Sequence, residues 1–276
     1  MSAPAPGPNG EMTDPTHYSI LLNSYLAFPV LFLWCIHWAM SNTYFQFKEF
    51  IVHQDQCAMK VCTDACILGA WFAEKIPSNS MVLDIGSGTG LLMLMLAQKN
   101  KSEIDGIEVD LPSFKQLKEN ISKSKWKDSL HAFPGDVRSF SFATKYDFII
   151  VNPPFYEGDL VSSSEEKNIA RHSRELTLEK LIEVIDNNLS AAGSFGILLP
   201  YHRALWFEAV ALENNFYAHE KLHIRQTPAH HFFRSIMHFS RNKVNSGVTV
   251  ELTIQDRKGE YTEEFVELLK DYYLYL

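Results

Sequence analysis

Asn152-Pro153-Pro154-Phe155, with Tyr156 next, sets an amide, two prolines and two aromatic rings in succession. That set suits one reaction well. An amine conjugated to a ring or carbonyl is a poor nucleophile, because its lone pair is delocalised and must be freed before it can attack a methyl group. The Asn152 side-chain oxygen and the Pro153 carbonyl can accept hydrogen bonds from the two N–H groups of such an amine. These contacts strengthen as positive charge builds on nitrogen, so they lower the barrier rather than merely bind. Successive prolines fix φ and contribute no N–H, which presents the carbonyl rigidly. Phe155 and Tyr156 offer faces on which a planar acceptor can stack. The chemistry needs no metal and no tuned general base.

A second motif supplies a place for the methyl donor. Asp84-Ile85-Gly86-Ser87-Gly88-Thr89-Gly90 lies between an apolar run and a leucine-rich segment. Glycines there let backbone approach a ligand closely. A dinucleotide loop would read G-x-G-x-x-G, but here the third glycine comes one residue early and Leu91 holds the dinucleotide position, which argues against a dehydrogenase. An acidic residue ahead of G-x-G-x-G resembles the first motif of Rossmann-like methyltransferases, and so implies S-adenosyl-L-methionine as cofactor. Two further carboxylates fall at strand ends. Glu108 is placed to accept from the ribose hydroxyls. Asp136, within Gly135-Asp136-Val137, is placed to accept from the adenine amino group of the cofactor.

The elements that position these groups follow from periodicity. Strands are expected at 81–85, 104–109, 130–133, 146–151 and 194–199, alternating with helices at 91–98, 113–122, 178–189 and 202–214. Such alternation predicts an α/β fold, a mostly parallel, doubly wound, Rossmann-like sheet covered on both faces. Segments 221–225, 235–240 and 248–254 lack intervening helices and predict an antiparallel C-terminal edge, with a helix at 262–272 closing the chain. Ahead of the sheet, aromatic residues from Tyr44 to Phe50 suggest a hairpin, and Thr63 or Asp64 is expected to cap a helix over 65–74.

Composition bounds the rest. The 276 residues are 46% hydrophobic and 21% charged, with a formal net charge of −8, an ordinary globular balance that excludes a generally basic surface. Cys57, Cys62 and Cys66 lack zinc-site spacing and read as reduced thiols, in keeping with a cytoplasmic setting. Residues 1–39 differ in kind, a Pro/Gly-rich start followed by an uncharged apolar run to Met40. That run is long enough for a membrane span, about 20 residues, but lacks the flanks of a signal peptide. A signal anchor, a packed helix and a translated upstream leader all fit. The leader is favoured, because the enzyme pattern starts after Met40, and residues 40–276 are expected to form a single methyltransferase domain.

From Phe47 onward the chain resembles the bacterial tRNA1(Val) (adenine-N6)-methyltransferases. The resemblance is carried by Cys57-Ala58-Met59-Lys60-Val61, Thr63-Asp64, Leu68-Gly69-Ala70-Trp71, Asp84–Gly90, Asn152–Phe155, Ala170-Arg171-His172 and Leu176-Thr177-Leu178. It implies methylation of an adenine exocyclic amine in tRNA, beside the anticodon. It also implies that Thr63 and Asp64 lie near the methionine end of the cofactor and Arg171 near the substrate entrance. Cys62 departs from the glycine the family carries before Thr63. Charge supports RNA separately: between Lys221 and Val250 there is no Asp or Glu, and Arg234 and Arg241 are expected to contact phosphates. tRNA is then the partner, with no metal, no obligate protein partner and no membrane unless residues 18–40 are a true anchor. Two rivals use the same amine logic. Release-factor glutamine methyltransferases carry a separate N-terminal helical domain for which residues 41–75 are too short, and ribosomal RNA guanine-N2 methyltransferases stay open.

Overall fold

A computed structural model describes residues 42–57, 59–153 and 176–276. Residues Thr43–Leu276 form one compact unit. It opens with a short antiparallel hairpin, β1 (Tyr44–Gln46) and β2 (Ile51–His53). The hairpin is held by its aromatic residues: Phe47 stacks on Phe50 at 4.5 Å and bridges to Tyr273 near the C-terminus. Helix α1 (Thr63–Ala73) follows.

The main sheet has eight strands. Strands β3 (Met81–Ile85), β4 (Glu103–Glu108), β5 (Leu130–Pro134), β6 (Tyr146–Val151) and β7 (Leu189–Pro200) come first, then β8 (Tyr217–Arg225), β9 (Arg234–Ser240) and β10 (Val248–Thr253). Helices α2 (Leu91–Lys99), α3 (Leu111–Ser122), α4 (Leu178–Asn188) and α5 (Tyr201–Glu213) connect them, and α6 (Glu263–Leu269) lies near the end. Across the sheet the order is β10-β8-β9-β7-β6-β3-β4-β5. Strands β3 to β7 pair in parallel throughout.

The C-terminal region differs in detail from the sequence expectation. Strand β9 is antiparallel to both β7 and β8, but it lies inside the sheet, and the outermost pair, β10 with β8, is parallel. The link from β9 to β10 passes beyond β8 rather than turning back beside β9, a route that local periodicity does not reveal.

Alternate residues of the buried strands feed two cores, as a doubly covered sheet requires. Val82, Ile104, Phe148 and Ile150 join α1, α2, α3 and α6 in one cluster. Leu83, Ile107, Ile149 and Val151 join α4 and α5 in the other. Helix α2 is buried from Leu91 to Ala97, which explains why its sequence is apolar on every side. Capping is clear where the sequence supplies it: Asp110 accepts from Ser113 N–H, Thr177 from Lys180 N–H and Thr262 from Phe265 N–H. Helix α1 is a correction. Its N-cap is Cys62, which makes no side-chain cap, while Thr63 and Asp64 sit inside the first turn.

Candidate active site

The chain runs β3 to β5 toward one edge, then returns to β6 and β7 on the other side of β3. That reversal opens a crevice at the carboxyl ends of β3 and β6, where α/β sheets bind ligands. Both sequence motifs arrive there. Ile85 is in register with Val151, so Gly86 and Asn152, each the next residue, emerge side by side about 4.8 Å apart, the spacing of neighbouring strands.

The glycine loop is built as its composition demands. Gly86, Gly88 and Gly90 have φ of 73°, 53° and 83°, a region that side chains with a Cβ resist. A Cβ at Gly86 would meet nothing within 4 Å, so that position opens onto free space beside the loop. The turn is pinned by Gly86 N–H and Ser87 N–H donating to the Ile107 carbonyl at 3.0 and 3.2 Å, and by Gly90 N–H donating to the Ser87 carbonyl at 2.7 Å. Glu108, at the end of β4, accepts from Gly88 N–H and Asp110 N–H, each at 2.8 Å. Its carboxylate is thereby fixed at the rim of the crevice, with lone pairs remaining for hydroxyl donors.

Three acceptor atoms of two side chains in the crevice are buried without a hydrogen-bond partner among the described residues: both carboxyl oxygens of Asp84 and Oδ1 of Asn152. Such groups ordinarily find donors. Burial, reinforced by the charge of Glu108, pushes the Asp84 carboxyl up to about 8. An anionic Asp84 would call for a cation and Asn152 for an N–H, and a cationic methyl donor with an amine acceptor supplies both. The residues present therefore fit S-adenosyl-L-methionine.

Asp136 follows β5 as expected, yet its carboxylate is engaged by its own neighbour. Arg138 donates from its backbone at 2.9 Å and from its guanidinium at 2.5 to 2.9 Å, which holds the Asp136 carboxyl below its usual range. Asp64 accepts from Arg234 Nε at 2.8 Å, a largely buried pair joining the start of α1 to the start of β9. Arg234 thus stands at the correct end of the sheet, in register with Pro200 at the carboxyl end of β7, and its charge is met. Thr63 is exposed on the first turn of α1. Pro153 is buried beside Asn152.

Arg241, expected on the same surface, lies at the other end of β9. It follows Ser240, which pairs with Ser194 at the far end of β7; the length of β9 separates it from Arg234, about 24 Å. There it pairs with Asp186 at 2.6 Å and donates to the Ser190 carbonyl at 3.0 Å. Other cations of the 221–250 stretch are also matched, Lys221 with Glu208 and Arg225 with Glu251. Phe155, Tyr156 and Arg171 lie outside the described residues, as do residues 1–41.

Two contributors escaped the sequence reading. Val109, 70% exposed directly after Glu108, leaves an apolar side chain in water next to the site's carboxylate; a lone valine in a loop carries no visible signal. Asn120, buried in α3, donates to the Thr89 carbonyl and to the His53 carbonyl, both at 2.9 Å. It ties the glycine loop to β2, and only its polar character on an inward helix face could have marked it. An open cleft lined by Arg138, Thr144, Lys145 and Asn188 runs from the residues after Asp136 to the amino ends of β6 and β7 and includes no residue of the two motifs. No metal-binding cluster occurs among the described residues, and no helix there is long and apolar enough to cross a membrane.

Residues 66–199 match the methyltransferase small domain family. A protein of Dyadobacter fermentans named tRNA1(Val) (adenine(37)-N6)-methyltransferase is 42% identical over 237 residues, covering 84% of this chain and 98% of that protein. A protein of the same name from Photorhabdus laumondii is 35% identical, covering 84% of this chain and 95% of its own length. Among solved structures, a predicted O-methyltransferase from Agrobacterium tumefaciens superposes with a TM-score of 0.59 at 14% identity, covering 75% of this chain and 96% of that one; it supports the fold alone.

Proposed function

Given that the chain belongs to the tRNA1(Val) (adenine(37)-N6)-methyltransferase family, we propose that it methylates the exocyclic amine of the adenine beside the anticodon of valine tRNA, with the crevice between β3 and β6 as its active site. The observation that carries this reading is the pairing of the glycine loop with Asn152 at the sheet's reversal point, each offering a buried acceptor that lacks a donor.

S-adenosyl-L-methionine, when bound, supplies an electrophilic methyl group. Glu108 is held by two backbone N–H groups, and its remaining lone pairs would accept from the ribose hydroxyls. Val109 would offer an apolar side to the purine, and Asp136 would accept from its amino group while retaining Arg138. Asp84, whose carboxyl is pushed up to about 8 in the ligand-free chain, would give up its proton under the glycine turn when a cation binds beside it. Asn152 Oδ1 and the Pro153 carbonyl accept from the two N–H groups of the target amine, favouring the pyramidal nitrogen that attacks. As positive charge grows on that nitrogen, two fixed oxygens already face it and need no reorganisation. Phe155 and Tyr156, which follow Pro154 in sequence, would supply rings for the target base to stack on.

Rivals with the same amine logic separate in one assay. Labelled cofactor is offered in parallel to unmodified tRNA, ribosomal RNA and a release factor. The proposal expects label in tRNA as N6-methyladenosine. Label in methylglutamine or in methylguanosine, with none in tRNA, contradicts it.

A further inference from the structure

Beside the crevice lies a surface that the methyl-transfer chemistry does not use. The tip of the β8–β9 hairpin, residues 226–233, reads Gln-Thr-Pro-Ala-His-His-Phe-Phe and contains no carboxylate. It is tightly built: Thr227 Oγ1 meets His230 Nδ1 at 2.7 Å, His230 N–H donates to the Thr227 carbonyl at 3.0 Å, and Phe233 N–H donates to the Ile224 carbonyl at 2.9 Å. The start of α5 is fastened to it through Tyr201 N–H, which donates to the Phe233 carbonyl at 3.1 Å.

The rings of Tyr201, Phe232 and His223 gather where these two pieces meet, and Phe233 follows Phe232 in the chain. Tyr201 is 40% exposed and Phe233 36% exposed. The Tyr201 ring lies 5.3 Å from that of Phe232 and edge-on to His223 at 4.9 Å. Cations back the rings: the Arg225 guanidinium lies 5.1 Å from Phe232 and that of Arg234 5.5 Å from Phe233. Tyr201 and Phe233 thus leave partly exposed aromatic surface beside a hairpin tip that carries no carboxylate.

We propose that Tyr201, Phe232 and Phe233 form a stacking platform for an unpaired base flanking the methylated adenine. This rests on the acceptor being RNA, as proposed above. Position supports it. Val151 is in register with Ile197 and Arg234 with Pro200, so Asn152 lies two strands across and two residues along from Arg234, roughly 12 Å at ordinary strand spacing and rise. A strand whose target base enters the crevice brings its neighbour over the hairpin tip. Arg225 and Arg234 are held beside the rings by Glu251 and Asp64, so the rings rather than free charge would carry the contact, and stacking tolerates any base because each has a π face.

The test is binding of a short unstructured oligoribonucleotide to the full chain at low salt, alongside methylation of tRNA. Phe233→Ala and Phe233→Leu should each weaken oligonucleotide binding about 5- to 150-fold, the worth of one stacked base, and raise KM for tRNA with cofactor affinity unchanged. Phe233→Trp should restore both. Leu205, 79% exposed on α5, is the control, because Leu205→Ala removes apolar surface without removing a ring. The platform is overturned if Phe233→Ala binds like the parent, if Phe233→Leu does so, or if Leu205→Ala weakens binding equally. If the parent binds no oligonucleotide, it is overturned as well. Methylation of tRNA that is indifferent to Phe233 would refute the platform and leave the acceptor standing. Ring-dependent oligonucleotide binding without any tRNA methylation would do the reverse.

Discussion

At Asn152 and Asp84 the fold tolerates what it elsewhere avoids, since a buried polar group left unpaired costs about 1–3 kcal/mol. A ligand that supplies the missing donors recovers that cost, which is why these two side chains, rather than the better-satisfied Glu108, are expected to separate binding from chemistry. Asn152→Ala should lower kcat about 100- to 1,000-fold, as loss of one preorganised polar contact does, with the cofactor dissociation constant nearly unchanged. Single-turnover kinetics and calorimetry distinguish this from a raised KM at constant kcat, the outcome that would remove Asn152 from the chemistry. Asp84 makes a pH prediction. Its carboxyl is pushed from 3.8 up to about 8, so between those values the folded chain holds a proton that the unfolded chain has lost. Stability therefore falls as pH rises through that window and levels off above it. Asp84→Asn should flatten the slope, leave the ligand-free protein more stable than the parent at pH 8, and weaken cofactor binding. Thermal melts across pH check it, and an unaltered slope in the variant would assign the effect to another group.

Gly106 shows how an element sets the site from a distance. It sits in the middle of β4, and a Cβ there would stand 2.4 Å from the Met93 sulfur and 2.5 Å from Ser87 Oγ. Only a strand without a side chain at that point lets α2 and the glycine loop settle together. Gly106→Ala should cost about 1–3 kcal/mol of stability, the usual range for overpacking, and weaken cofactor binding by displacing Ser87. Urea unfolding and calorimetry measure both, and loss of stability with unchanged affinity would show that the loop absorbs the shift. Elements of this kind were largely legible in the sequence. Met81–Ile85 and Tyr146–Val151 appear where the apolar runs place them, because a buried parallel strand needs nearly every residue apolar. What escaped was decided between distant segments. Arg234 and Arg241 looked like one basic face because nearby sequence lacks acids, yet their partners are Asp64 and Asp186, far along the chain. The parallel pairing of β10 with β8 depends on the path of a connection, which no period records.

For the whole molecule, a chain of net charge −8 that acts on a polyanion must concentrate its attraction near the crevice. The ion pairs bear on where. Arg241, about 24 Å from Arg234 along β9 by strand spacing, should be dispensable: Arg241→Ala is expected to leave tRNA affinity and its salt dependence unchanged. Because the partner Asp186 is about half exposed, losing the pair should cost at most about 1 kcal/mol of stability. A salt slope reduced by roughly one would instead return Arg241 to the RNA surface. Single-stranded loops offer bases that enter a pocket at little cost, whereas a duplex must first be opened, so an adenine beside an anticodon matches a crevice built to hold one amine. The central claim meets its most direct test in two transcripts of valine tRNA, one with adenine at position 37, the position named in the relatives, and one with guanine there. The account predicts one N6-methyladenosine per molecule in the first and no methyl incorporation in the second. Equal methylation of both transcripts, or of neither while another acceptor is labelled, would contradict it.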